Sequence, residues 1–539
     1  MDNEEEIMKK VLWALLALLL ILPVSPVLAE RAGGTFNYVA PYGGDLLGLD
    51  AHKSTRIQDF LVMTSLNRSL YSWEPGVNKP KMELASKVDV SADGKVWTFK
   101  LRDDVKFHHG RKMTADDVIF SYTRVASPAT KSPSALYVRI IKGAKDVEDG
   151  KTQSIAGLKK IDDLTLQITL ENPVDLPYFL FQPGTAILPK DEVEKKGDGF
   201  SSDPVGCGPF QFVKWVKGSE VTVKKFPDYF VPNRPFLDKI VFKIISESQA
   251  RDNAFRAREL DATVIEPVQY PVYKKDPAIS KNIIEVAEMF TRAIGFNFDK
   301  EPFKKKEVRQ AINHAIDRNL IIEKLLHGKA VPAVGWLPST SAGFNPKAKA
   351  YDYDPAKAAE LMKKAGYEKG FTVEAVSTGN ASWGTVIFEA AMPMLKRINI
   401  TLKIQQLEGA ALVDRLQKGE FDMFSYSMGT GPEPYQALAR WKGDASRVAG
   451  NYINYKNPAF DKVLEQAAAE RNEAKKVALL QQADGILLED AALMFFNYNK
   501  AVMAYHPWVH GLKPAAVDMV YQDYVNIWVE ESSPRAKEK

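Results

Sequence analysis

Residues 204–230 read PVGCGPFQFVKWVKGSEVTVKKFPDYF: a glycine- and proline-punctuated turn, two strand-like runs and a second turn. Gly206 and Gly208 bracket Cys207 just ahead of Pro209, and a Gly-x-Gly-Pro corner lets two backbones approach where side chains would collide. Such a stretch is scaffold chemistry, not catalysis. Cys207 is the only cysteine, so no internal disulfide forms, and a nucleophilic role would require a positioned histidine and an electropositive niche. Wedged in the corner, it reads as a small buried filler.

Upstream, residues 33–39 read as a turn into a β-strand. At residues 84–102 an Asp93-Gly94 turn precedes an alternation that puts Val96, Thr98, Lys100 and Arg102 on one face and Trp97, Phe99 and Leu101 on the other, a half-buried strand. Thr114 is a good N-cap, and Asp117 reaches back toward it as a variant capping box, opening a helix through Tyr122. Downstream, Val308, Ala311, Ile312, Ala315 and Ile316 share one apolar face of a helix over residues 309–318. Asp354-Pro355 supplies an N-cap and an N1 proline, Ala358, Leu361, Met362 and Ala365 form the buried face, and Gly366 ends that helix. Strands at 401–406 and 422–427 then alternate with helices at 410–418 and 458–470. This alternation predicts an α/β fold with mixed or parallel sheets faced by helices.

A chain of 539 residues is too long for one core, and two or three domains are expected. Its 72 basic and 68 acidic residues leave a net charge of +4, which argues against the concentrated basic surface that nucleic acid favours. Met8-Lys9-Lys10, the apolar residues 11–22 and the Val27-Leu28-Ala29 ending fit a secretory signal peptide cut after Ala29. The acidic segment 2–6, DNEEE, is unusual for such a signal, so Met8 is the expected start. With no cysteine near the cut no lipid anchor is expected, and the mature protein is expected free in a periplasm.

The stretch at 204–230 resembles the PVGTGPF…W…G…NPDYW signature of the family 5 extracellular solute-binding proteins, the peptide and nickel receptors of ABC importers. It departs at Cys207 for Thr and at Phe226 for Asn, both in scaffold. Residues 84–121 are similar to the family's DG-x-x-YTFxLRxxVKFHDGxPLTAxDVxFS segment, and residues 294–367 to its GFNxxxxPFxDxxVRQAxxxAIDR and YDPxKAxxLLxxAGY stretches. The resemblance implies a periplasmic-binding-protein-like, two-jaw (Venus flytrap) fold with an extra inserted domain. Mapped here, lobe one is 30–77, 201–291 and 498–539, lobe two 78–200 and lobe three 292–497, with hinge crossings near residues 291–295 and 497–500. It also implies a receptor that captures a polar solute, most often a peptide, and delivers it to an ABC permease and its ATPase subunits; a monomer is expected, and the charge balance leaves no nucleic acid partner expected.

The residues carry no catalytic motif: there is no Walker A loop, GxGxxG after a strand, HExxH, CxxC or GxSxG. An exported hydrolase remains the contrasting class, and a chaperone sharing the fold a third. His108-His109 read as a solvated or packed loop pair, His314 as a surface or interlobe residue, and His327, His506 and His510 lack ligand spacing, so neither metal nor cofactor is expected.

Peptide receptors of this family hold the ligand's ammonium with an aspartate in a W-x-x-D-x-x-x-P-like segment. The matching residues 421–435 place Thr430 or Gly431 there, neither acidic. Glu433 is the available substitute, with the peptide added as a strand. Alternatively, the ligand is an oligosaccharide, a blocked peptide or another amine-free solute. Tyr435, Trp441, Trp383 and Trp336 are candidate stacking surfaces. Asn380 and Trp383, in the turn at 378–383, form a second candidate wall, and Tyr38, on the first strand, completes the ligand-binding candidates.

Overall fold

The corner at Gly206 and Gly208 is pressed against the end of the helix Ile57–Leu66. Gly208 N donates to Leu66 O at 2.8 Å, and a Cβ at either glycine would run into the Leu66 backbone. Gly206 N donates to His108 Nδ1 at 3.2 Å, which leaves Nε2 as the donor to Gly208 O at 3.1 Å. His108 N also donates to Gly206 O at 2.8 Å. The first of the paired histidines is thus a packed clamp on the corner. Cys207 is fully buried within it, and burial pushes its thiol up to about 12.

These coordinates come from a computed structural model that describes residues 31–39, 44–379, 383–519 and 521–538. The expected leader lies outside the described residues.

Beyond the corner, Phe210–Val216 and Glu220–Lys225 form an antiparallel hairpin. It continues through Lys239–Lys243 to Thr35–Val39, which runs parallel to that strand. These strands are one end of an 11-stranded mixed sheet. The other end is Ile400–Leu407, Phe371–Thr378 and Met423–Gly429, all mutually parallel. Two long antiparallel strands, Ile283–Phe296 and Leu493–Tyr505, join the ends, and their ladder slips register between Ala287 and Thr291.

Packing changes hands along these two strands. Met289 on one, with Ala501 and Met503 on the other, packs with a core running from Phe36 to Val529. Ala293, Ile294 and Phe296, with Leu493 through Phe496 and Tyr498, pack instead with two cores built from residues 293–498. The molecule therefore has two bodies joined by a shared ribbon. A separate four-stranded antiparallel sheet, in the order Ala85–Val90, Val96–Leu101, Thr165–Thr169 and Leu158–Asp162, shares the first body's core through Phe99, Leu101 and Ile168.

Local readings hold where side chains dictate the backbone. Thr114 N donates to Asp117 Oδ2 at 2.9 Å at the head of Ala115–Ala126, and Asp354 caps Pro355–Lys364 by accepting from Lys357 N. The helix expected over 309–318 is corrected: Lys306–Ala315 ends at an extended Ile316, and Asp317, accepting from Leu320 N, caps a new helix Arg318–Leu326. A side-chain cap inside an apolar repeat restarts the helix without breaking the period.

Candidate functional site

The strand Met423–Gly429 ends against the ribbon, and there Thr430 folds back: its N–H and its hydroxyl both reach Met289 O, each at 2.9 Å. Thr430 is buried and its donors are committed to the register slip. Gly431 is exposed with φ +68°, a conformation that favours glycine, and it turns the chain toward the short helix Pro434–Ala439.

Glu433 caps that helix. Its Oε1 accepts from Tyr435 N at 3.2 Å and Oε2 from Gln436 N at 2.6 Å. Burial pushes its carboxyl up to about 7, while the two amides and Lys476 pull the other way. Lys476 reaches across to Asp175, in the 78–200 segment, at 2.5 Å, and Arg471 Nη2 donates to Asp93 O at 3.2 Å. Asp175 and Tyr178 stand close enough to Glu433 to interact with its charge. Glu433 therefore sits where the second body meets the 78–200 segment.

The other sequence candidates divide by burial. Tyr435 is half-buried beside Glu433. Trp441 is fully buried edge-on to Trp336 at 5.0 Å between centroids, and Trp336 donates Nε1–H to Ala437 O at 2.7 Å, so both are core. Trp383 is 4% exposed, packed on Phe496 at 5.4 Å with Arg292 above its ring at 5.6 Å. Tyr38 is fully buried in the first body, stacked on Phe36 at 5.7 Å. Asn380 lies outside the described residues. The structure thus brings Thr430, Gly431, Glu433 and Tyr435 together and leaves Tyr38 and Trp441 inside cores.

Sequence reasoning missed Lys476 and Asp175, distant residues whose pairing no local pattern announces. A cavity of about 250 Å³ lined by Arg68, Trp73, Glu83, Phe181, Tyr229 and Tyr521 lies wholly within the first body. Among the described residues no three His, Cys, Asp or Glu side chains come together as a metal site, and no helix is long and apolar enough to cross a membrane.

Two jaws on a shared ribbon, meeting at a half-buried polar seam, define a two-lobed binding protein. The family model for bacterial extracellular solute-binding proteins, family 5 (middle region) matches residues 79–448, and the chain belongs to this family. It is 30% identical to di/tripeptide-binding protein 2 of Pseudomonas aeruginosa, over 82% of this chain and 86% of that one. It is 27% identical to the periplasmic oligopeptide-binding protein OppA of Escherichia coli, over 91% of each. Among solved structures, the unliganded open form of the murein tripeptide-binding protein MppA superposes with a TM-score of 0.81 at 24% identity, covering 93% of this chain and 99% of that one. The ABC transporter-associated DppA of Helicobacter pylori, in complex with the peptide STSA, gives 0.72 at 27% identity with the same coverage.

Proposed function

We propose that this protein is the solute receptor of an ABC importer, closing its two jaws on a peptide and presenting it to the membrane permease and its ATPase. The observation that carries this reading is the changeover of packing along Ile283–Phe296 and Leu493–Tyr505. Two bodies with separate cores, joined by a ribbon with a register slip, are suited to hinge about that slip, and a ligand touching both biases them toward closure by its differential affinity. The relatives' names supply the ligand class.

On this reading lobe one is 30–77, 201–291 and 498–539, lobe two 78–200 and lobe three 292–497. The leader is removed after Ala29, and the mature monomer works free in the periplasm. No covalent step is involved. Mass spectrometry of small molecules released by denaturing the gently purified protein tests it. An unmodified solute in stoichiometric amount, with a melting temperature that rises with its concentration, is expected. Turnover of that solute, or no saturable binding, would sink the reading.

A second reading, an amine-free solute, draws support from Thr430 and Glu433. The family's aspartate is absent, Thr430 is bonded to Met289, and both Glu433 oxygens cap a helix.

A further inference from the structure

The second body touches the 78–200 segment at an elbow, residues 470–476, between the helices Pro458–Ala469 and Glu473–Glu489. Lys476 Nζ stands 2.5 Å from Asp175 Oδ2, and Arg471 Nη2 donates to Asp93 O at 3.2 Å. Glycine at 94 admits the arginine: a Cβ there would stand 2.8 Å from Arg471 Nη1 and 3.3 Å from Pro173 Cβ. The Asp93-Gly94 turn thus serves the far jaw as well as its own strand.

Both halves of the contact are ordered by their own surroundings. In the segment, Asp93 Oδ1 accepts from Ser91 Oγ at 2.5 Å and from Lys95 N at 3.0 Å, which fixes the turn. Lys95 Nζ donates to Glu171 O at 3.0 Å and ties that turn to the loop carrying Asp175, while Leu176 is fully buried in the first body's core. In the elbow, Arg471 N and Asn472 N both donate to Glu470 Oε1, at 2.8 and 2.7 Å, and Asn472 caps the second helix by accepting from Lys475 N at 3.1 Å. Pre-ordered parts lose less conformational entropy when they meet.

The place of the elbow gives the contact a direction. Its helices pack with Pro434–Ala439 through Leu438, Phe460, Leu464 and Leu480. That short helix follows the end of Met423–Gly429, at the carboxyl ends of parallel strands, where open α/β sheets receive ligands. The contact therefore spans the two bodies on the cleft side of the ribbon. Swinging them together makes it, and swinging them apart breaks it.

We propose that Arg471 and Lys476, with Asp93-Gly94 and Asp175, form a latch by which the 78–200 segment holds the second jaw closed. This rests on the receptor reading above and gives the segment a part in jaw movement. Because the latch touches no solute, it favours closure to the same extent for every ligand. Asp175 is half-exposed, so salt screens the pair and its effect is a small factor.

The test is calorimetry and stopped-flow release of trialanine and N-acetyl-trialanine, with the intact mature protein and the variants D175N, R471Q, K476M and the reversed pair D175K/K476D. Circular dichroism and melting check that each is folded. Each single variant should weaken both peptides by the same factor, about twofold to fivefold, through faster release, and the reversed pair should recover part of the loss. Unchanged or tighter binding in D175N and K476M, or a reversed pair weaker than either, would overturn the latch and leave the receptor reading intact. D175C/K476C treated with a short bis-maleimide gives a readout that needs no ligand, because Cys207 is fully buried. Bridging within one chain is expected, with slower release of a peptide captured beforehand. Failure to bridge would overturn the latch whether or not a peptide binds, whereas bridging in a protein that binds neither peptide would uphold it and defeat the peptide reading.

Discussion

Thr430 holds the Met289 carbonyl with both of its donors, N–H and hydroxyl, each at 2.9 Å. Thr430, one of the two residues that the resemblance sets against an ammonium-binding aspartate, the other being Gly431, is here a clasp on the ribbon between the two bodies. Thr430→Val keeps the shape and removes one bond to a buried carbonyl, so a loss of about 1 kcal/mol in unfolding free energy is expected. Thr430→Asp would set a carboxylate against that same carbonyl and should destabilise more, without creating affinity for a peptide N-terminus. Urea denaturation and titration with trialanine and its N-acetyl form check both. A gain in affinity for the free-amine form in the aspartate variant would contradict the clasp.

How far such roles were legible in the sequence depends on the range of the contact. Gly206, Gly208, Thr114-Asp117 and Asp354-Pro355 are local devices, written in adjacent residues, and each takes the conformation its chemistry requires. Trp441 and Tyr38 read as ligand surfaces only because an aromatic side chain serves core and cleft alike, and burial decides between them. Lys476 with Asp175 is a juxtaposition made by the fold, and no spacing within one segment encodes it. Glu433 was found for one reason and is held by another: its acidity suggested an anchor, and its place before Pro434 makes it a cap.

The clamp at the glycine corner makes stability depend on acid. Burial pulls His108, and likewise His52, down to about 4. The unfolded histidines take up protons near pH 6.5 while the folded ones resist until about pH 4, so the contribution of these two side chains is full above pH 6.5 and falls as pH drops through that window. The ceiling is about 3 kcal/mol for each histidine. Because Glu433 shifts stability in the opposite sense over the same window, the check is the difference between the parent and His108→Gln measured at pH 7 and at pH 5, in which one histidine's share of this loss should appear. An unchanged slope in that variant would assign the acid sensitivity elsewhere.

Cys207, fully buried and with its thiol pushed up to about 12, is inert while the corner is intact. Labelling with a thiol-reactive dye in native buffer should therefore follow the rate of unfolding and quicken with urea in parallel with it. Rapid labelling without urea would mean that the corner opens locally.

Glu433 carries the most diagnostic pH dependence, because its carboxyl is raised to about 7 from an ordinary value of 4.5. The folded state thus favours the protonated acid. The stability this confers is present below pH 4.5 and is lost as pH rises through about 7, with a ceiling of about 3 kcal/mol. Glu433→Gln removes the buried charge and leaves one oxygen to cap Tyr435 or Gln436. It should be less stable than the parent by about 1 kcal/mol at pH 5, from the weakened cap, and should equal or exceed it at pH 8. Because both carboxylate oxygens already serve helix amides, its affinity for trialanine relative to N-acetyl-trialanine should change less than threefold, on the order of 0.6 kcal/mol. A selective tenfold loss for the free-amine peptide would instead make Glu433 the ammonium anchor and restore the family's usual mode of capture with a different residue.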